Sequence, residues 1–201
     1  LSLDRGTGQL AGAPSGAGVS VFAVTATDVR GCAGTASYAL TVTPAAAVNS
    51  VTPLTAGLCL NPLTGTVEVP FQLTRGDATG LRGASVTFQI DTATLRLANP
   101  GAAALSILPG TWAQSFGNRS MQVTDLGGGR YTVDVVLLGS PCGVTAPGSL
   151  FTVALAAQGP VGTGAVTVTS VTARDCANAA VAVNAGSSGS VNISSATITL
   201  S

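Results

Sequence analysis

Acidic residues are the first candidates for chemistry in this 201-residue sequence, because histidine is absent and no imidazole can act as a base near neutral pH. Hydrolysis of a glycosidic bond requires two carboxylates across a cleft. Glu68 and Asp134 alternate with valines and should face solvent from strands, whereas Asp77, Asp91 and Asp125 lie beside turns. Neither these acids nor Asp175 has a second acid at close spacing. The sequence therefore predicts a protein that is not an enzyme.

Aromatic rings are a second candidate feature, because an exposed ring can stack on a sugar. The segment "PGTWAQSF" contains the only tryptophan, Trp112, and Phe116 follows four residues later. On a strand this spacing places both rings on one face, so Trp112 and Phe116 are candidates for a ligand face. We favour the interpretation that both rings fill a core that is poor in aromatic residues, which make up 4% of the chain.

Strands must position these residues, because apolar and polar residues alternate with period two through most of the chain. Segments such as "VSVFAVTAT", "TVEVPFQLT", "RYTVDVVLLG" and "GAVTVTSVTA" are rich in β-branched residues, and glycine-rich turns separate them. The glycine run "LGGGR" lies between two such segments with no helix after it, so it predicts a hairpin turn rather than a phosphate-binding loop. The pattern predicts an all-β antiparallel sandwich, with a helical turn allowed only in "NPGAAALSI".

Composition limits the partners. Only 8% of the residues are charged, the eight basic residues are all arginine, and the formal net charge is zero. Because the basic residues are not clustered, nucleic acid is excluded as an expected partner. The longest apolar runs fall far short of the ~18 residues that a membrane-spanning helix needs, so no membrane insertion is expected.

A seam in the strand pattern falls at "TVTPAAAVNSVTP", where small residues and two prolines are typical of a short linker. It divides the chain into domains at 1–44 and 45–201. The first piece is too small to bury a core alone.

The first piece resembles the C-terminal half of an Ig-like, cadherin-like repeat of bacterial surface proteins. The matching stretches are "LSLD", "GQLAGAP" and "TATD", at 1–4, 8–14 and 25–28. The resemblance implies a partial Ig-like sandwich cut inside a repeat, or one whose missing strands come from another molecule. In related repeats an aspartate after "TAT" can bind calcium, so Asp28 is a candidate calcium ligand. We favour a turn role for Asp28, because calcium needs six to eight oxygens and the nearest acid is Asp4.

Residues from 48 to about 200 resemble a cohesin-type module. Three stretches carry the resemblance: "GTVEVPFQLTRGDATGLRGASVTFQIDTATLRL", "GSLFTVALAAQGPVGTGAVTVTSVTARDCANAAV" and "GSVNISSATITL". The resemblance implies a nine-stranded, jelly-roll-like antiparallel β-sandwich of a secreted or surface protein of bacteria, which attaches to a dockerin-like protein partner.

Two functions remain open at this point, since a fold alone does not settle function. One is a non-catalytic protein-binding or scaffold module, and the other is a carbohydrate-binding module that takes a polysaccharide. A flat polar and aliphatic sheet face would favour the first, and an exposed row of aromatic rings would favour the second. A purely structural stalk segment is a third option.

The sequence contains four cysteines, and an extracellular setting favours disulfide formation among them. We expect "SLFTVALAA" and "AVTVTSVTA" to pair as a hairpin centred between Pro160 and Val161, which leaves Cys142 and Cys176 just beyond the same end. A bond between these two cysteines is therefore predicted. Cys59 could pair with Cys32 or remain free, and we favour the free thiol.

Overall fold

The computed structural model describes residues 1–4, 6–12, 18–42, 48–63, 65–114, 118–139 and 142–194. It divides into two compact units, Leu1–Ala46 and Ala47–Ser201. The residues on both sides of the expected boundary at Pro44 lie outside the described part of the chain.

The first unit consists of two antiparallel strand pairs. A short pair joins β1 (Ser2–Leu3) to β2 (Leu10–Ala11), and a long hairpin joins β3 (Gly18–Thr27) to β4 (Ala33–Val42). On one face of the hairpin the rings of Phe22 and Tyr38 stack with centroids 5.9 Å apart. Most residues of both long strands are exposed.

The second unit packs two sheets face to face. The strands of the first sheet are β5 (Asn49–Pro53), β7 (Val67–Thr74), β9 (Leu95–Leu97), β10 (Ile107–Pro109), β13 (Gly148–Ala157) and β16 (Val183–Ala185). They form a six-stranded sheet with the order β10-β13-β7-β5-β16, to which β9 adds by pairing with β13.

The strands of the second sheet are β6 (Cys59–Leu60), β8 (Leu81–Ile90), β11 (Arg119–Gly127), β12 (Arg130–Leu137), β14 (Gly162–Asp175), β15 (Ala180–Val181) and β17 (Gly189–Ile193). These seven strands lie in the order β11-β12-β8-β14-β17-β6, with β15 paired to β14. A single helical turn, α1 (Ala103–Ser106), lies within "NPGAAALSI", so the expectation for this segment is confirmed. The all-β prediction is confirmed as well.

The core lies between the two sheets because each long strand turns alternate side chains inward. In β12 the odd-numbered residues from Tyr131 to Leu137 are buried, and the even-numbered residues are not. At the centre, the ring of Phe71 lies 4.7 Å from that of Phe88 and 4.6 Å from that of Phe151, measured between centroids. These rings come from β7, β8 and β13, so contacts between aromatic side chains join the two sheets at the centre of the core.

The predicted hairpin between "SLFTVALAA" and "AVTVTSVTA" is wrong. The first segment forms β13 in the six-stranded sheet and the second forms β14 in the seven-stranded sheet. The connection between them therefore crosses from one sheet to the other, and at its start the backbone N–H groups of Gln158 and Gly159 donate to the carbonyl of Thr94. Stacked sheets lie about 10 Å apart, which still keeps the ends of the two strands near each other.

The strand pattern also differs in detail from nine antiparallel strands. Within the described residues, the second unit has thirteen strands. The number exceeds nine because several of them are short strands of two to five residues. Two of the pairings are parallel, β16 with β5 and β17 with β6. Parallel pairing is possible there because long connections separate the paired segments in sequence.

Candidate functional site

Three of the candidate acids, Asp91, Asp125 and Asp175, accept hydrogen bonds within their own turns. Asp91 Oδ1 accepts the N–H of Ala93 at 3.0 Å, and Asp125 Oδ1 accepts the N–H of Gly127 at 2.8 Å. Asp175 Oδ1 accepts the N–H groups two and four residues further on, at 2.9 and 2.8 Å. Glu68 is exposed on β7.

Asp77 is the most constrained of the acids. Its Oδ2 accepts the side-chain amide of Asn49 at 2.7 Å, and its Oδ1 accepts the N–H of Thr79 at 2.9 Å and the guanidinium of Arg75 at 2.8 Å. The hydrogen bond from Asn49, followed by that from Thr79, lowers the pKa of Asp77 below its ordinary value. The ionised carboxylate therefore holds the loop between β7 and β8.

Asp28 has the geometry of a turn residue. Its Oδ1 accepts the N–H of Arg30 at 2.8 Å and that of Cys32 at 2.9 Å, across the turn between β3 and β4. Within the described residues no group of three or more His, Cys, Asp or Glu side chains is placed to hold a metal ion. Asp28 as a calcium ligand stays a prediction.

Trp112 is not available as a stacking platform, because 1% of its surface is exposed. The backbone N–H of Trp112 donates to the carbonyl of Ser149 at 2.8 Å, and the backbone carbonyl of Trp112 accepts a hydrogen bond from Arg119 Nη1 at 2.9 Å. Hydrogen bonds from the backbone of Trp112 to Ser149 on β13 and to Arg119 on β11 therefore hold this residue in the core. Phe116 lies outside the described residues.

The structure brings Cys142 and Cys176 together as a disulfide, with their Cα atoms 5.9 Å apart. The bond joins the segment after β12 to the turn after β14. Cys32 and Cys59 are exposed free thiols. The thiol of Cys59 lies 3.6 Å from Ser194 Oγ, close to the end of β17.

A flat polar surface covers the outer side of β11, β12, β8 and β14, and we call it the open face. Its side chains stand in rows where residues of neighbouring strands pair directly. The central row runs Thr124, Thr132, Thr87, Ser170, and the next row runs Gln122, Asp134, Ser85, Thr172.

Hydroxyl groups order the centre of the open face. The hydroxyls of Thr87 and Thr132 lie 2.9 Å apart across neighbouring strands. Both residues are half-exposed, so their remaining hydrogen-bonding capacity faces solvent. A surface of this kind can donate and accept hydrogen bonds without offering a pocket for a small molecule.

A shallow groove crosses one end of the open face. Its volume is about 290 Å³, and Gly83, Ser85, Asp134, Thr172 and Arg174 line it together with Arg82. Gly83 stands in the third row, between Val136 and Arg174. A Cβ on Gly83 would lie 2.7 Å from the carbonyl oxygen of Val135, so only glycine fits this position without a shift.

Sequence reasoning missed the open face as a unit. Alternation alone assigns each residue to one of two faces, but it does not say which strands are neighbours. A β-bulge between Val168 and Ser170 also changes which residues of β14 point outward. The repeated threonines in "AVTVTSVTA" were the available signal, since β-branched polar residues suit a half-exposed sheet.

No helix within the described part of the chain has the length and apolar character needed to cross a membrane. On the described surface of the second unit, the open face is the main candidate for binding, because four paired strands present polar side chains there.

The fold defines the second unit as a two-sheet, jelly-roll-like β-sandwich in which the chain crosses between the sheets from β7 to β8, from β12 to β13 and from β13 to β14. It is similar to a cohesin module from a family 33 glycoside hydrolase of Clostridium perfringens, with 13% identity and a TM-score of 0.59 over 75% of this chain and 99% of that one. A non-cellulosomal cohesin of Archaeoglobus fulgidus gives 20% identity and a TM-score of 0.55 over 74% and 93%.

The sixth cohesin of scaffoldin B from Acetivibrio cellulolyticus, solved in complex with a Cel5 dockerin, gives 18% identity and a TM-score of 0.58 over 73% of this chain and 99% of that one. The expected cohesin-type fold is therefore confirmed. Residues 1–43 match the family model described as "Putative Ig domain", which confirms the Ig-like resemblance of the first unit. No curated protein matches the chain.

Proposed function

We propose that the second unit is a non-catalytic attachment module that binds a dockerin-like protein partner through the open face. The observation that carries this proposal is the face itself, four registered strands of hydroxyl and amide side chains on a cohesin-type sandwich. Protein interfaces tolerate such polar surfaces when shape and hydrogen bonding are complementary. The solved complex of the Acetivibrio cohesin with a dockerin supports this class of partner.

The carbohydrate-binding alternative has less support. The aromatic residues that the structure describes in the second unit are all buried: Phe71, Phe88, Trp112, Tyr131 and Phe151. A polysaccharide would have to bind this described surface without a stacking ring, although such rings supply much of the contact area in amphipathic recognition. We therefore propose protein attachment as the function. Binding of a polysaccharide is the alternative result that the test below would detect.

An extracellular or bacterial cell-surface location belongs to the same proposal. The disulfide between Cys142 and Cys176 supports it, because such bonds persist mainly in oxidising compartments. The Ig-like match at 1–43 is consistent with a chain that carries several surface modules in tandem.

The test measures binding of the full chain to a panel of purified dockerin modules and to a glycan array. We expect at least one dockerin to bind, and Thr87→Arg in the centre of the open face to weaken it at least tenfold. Thr152→Arg is the matched control, since Thr152 is a half-exposed threonine in mid-strand on the six-stranded sheet. Binding to glycans alone, or equal loss in both variants, would contradict the proposal.

A further inference from the structure

Two arginine side chains that line the groove, Arg82 and Arg174, make few hydrogen bonds within the described part of the chain. Each guanidinium offers five N–H groups. Among the described contacts, Arg174 makes one long hydrogen bond, from Nη1 to the carbonyl of Asn178 at 3.3 Å, and Arg82 makes none. Both side chains are exposed. The groove therefore presents donors that no described group of this chain satisfies.

The acids near the groove do not neutralise these arginines by direct contact. Asp134 lines the groove on β12, but the described salt bridges contain only the pair of Arg75 with Asp77. Asp175 follows Arg174 in sequence, and its Oδ1 accepts two backbone N–H groups of its own turn. Two arginines and one aspartate therefore line the groove, and no described salt bridge joins them.

Neighbouring hydroxyls extend the same donor pattern. Ser85 and Thr172 are cross-strand partners in the row next to Gly83, and both line the groove. The glycine leaves the centre of this end of the face without a side chain. The groove, at about 290 Å³, lies at the lower limit of small-molecule pockets, so one protruding side chain suits it better than a free ligand.

We infer that the groove is a specificity subsite that receives an aspartate or glutamate side chain of the protein partner, held between Arg82 and Arg174. This inference rests on the proposed function, because it presumes that a protein binds the open face. Paired guanidinium and carboxylate groups at such a rim set partner choice and association rate more than total affinity. Asp134 disfavours a second acid beside the first, so the partner presents a single carboxylate there.

The test uses three synthetic helical peptides that differ only at one central position, which is Glu, Gln or Lys. Each is titrated into the isotope-labelled full chain at low salt, and amide resonances are followed by NMR. We expect the Glu peptide to perturb Ser85 and Thr172 and to bind at least tenfold more tightly than the other two. The double variant R82S/R174S should remove this preference, while R96S, on the opposite sheet, should keep it.

Charge reversal separates a direct contact from a structural effect. In R82E/R174E the preference should pass from the Glu peptide to the Lys peptide, which a merely disturbed groove would not produce. Equal affinities for the three peptides, a preference that survives R82S/R174S, or tighter binding of polygalacturonate than of the Glu peptide would overturn the inference. A dockerin that binds the open face while the peptides show no charge preference would leave the proposed function intact and remove the subsite alone.

Discussion

Asn49 and Asp77 are 28 positions apart in sequence, and a hydrogen bond of 2.7 Å joins their side chains. The same amide nitrogen of Asn49 donates to the carbonyl of Ala182 at 2.9 Å, and its Oδ1 accepts the N–H of Gly76 at 2.9 Å. Asn49 is 3% exposed. One buried amide at the start of β5 therefore connects the β7–β8 loop to the segment before β16.

Replacing Asn49 by alanine should destabilise the second unit by about 2–3 kcal/mol, because it leaves buried partners without their hydrogen bonds. Urea unfolding followed by fluorescence of Trp112 measures the change. Asn184→Ala is the control, since Asn184 is an exposed asparagine on β16, and it should alter stability by less than about 0.5 kcal/mol. Equal effects of the two substitutions would contradict the role given to Asn49.

Stability should depend on the ionisation of Asp77. Its pKa in the folded state is lowered, first by the hydrogen bond from Asn49, so the folded protein holds the ionised form more strongly than the unfolded chain does. The resulting stability is fully present above the unfolded pKa of about 4 and is lost as the pH falls through the lower folded value.

The contribution of ionised Asp77 to stability is measured by comparing the unfolding free energies of the protein and of Asp77→Asn between pH 2 and pH 7. The difference in unfolding free energy should be constant above about pH 5 and should shrink in more acidic solution. If the difference in unfolding free energy grew as the pH fell, the pKa of Asp77 would be raised on folding, and the prediction would be contradicted.

The disulfide should stabilise the second unit through the loop that it closes. Cys142 and Cys176 are separated by 34 positions, and the chain-entropy relation gives roughly 3–4 kcal/mol for a loop of that length. The double variant Cys142→Ser/Cys176→Ser should lose about that amount in urea unfolding. Cys59→Ser, at an exposed free thiol, should change stability by less than about 0.5 kcal/mol. Non-reducing peptide mapping that links Cys59 to either partner would contradict the pairing.

Long alternating segments were predictable because one buried face imposes period two. β7, β12 and β13 all follow the pattern that the sequence shows. β5 was missed and assigned to the linker, since five residues with a proline give no clear alternation. The two- and three-residue edge strands were missed because hydrogen bonds to distant strands define them, and local sequence does not report such bonds.

The sheet assignment of β13 and β14 shows where alternation stops being informative. Both strands bury one face, so the alternation in their sequences is the same whether the two strands pair in one sheet or pack across the core from each other. The hairpin was predicted from the short connection, yet that connection crosses between the sheets. The open face was not predictable for the same reason, since it depends on which strands are neighbours.

The turn between β11 and β12 offers a matched pair of glycines. Gly128 and Gly129 have φ angles of 62° and 76°, in the left-handed region that costs residues with a Cβ about 1–2 kcal/mol. A Cβ on Gly128 would meet nothing within 4 Å, whereas one on Gly129 would lie 2.8 Å from the carbonyl oxygen of Ile90 and would also overlap the methyl group of Thr92. The carbonyl of Gly129 in turn accepts the N–H of Ile90 at 2.9 Å.

Gly128→Ala should therefore destabilise the second unit by about 1 kcal/mol, from backbone conformation alone. Gly129→Ala should cost at least about 1 kcal/mol more, because the turn must move away from β8 and weaken the hydrogen bond to Ile90. Urea unfolding of both variants gives the two values, and hydrogen exchange at the Ile90 amide reports the local opening. Equal losses, or faster exchange at Ile90 in Gly128→Ala than in Gly129→Ala, would show that close packing against β8 does not set the requirement for glycine.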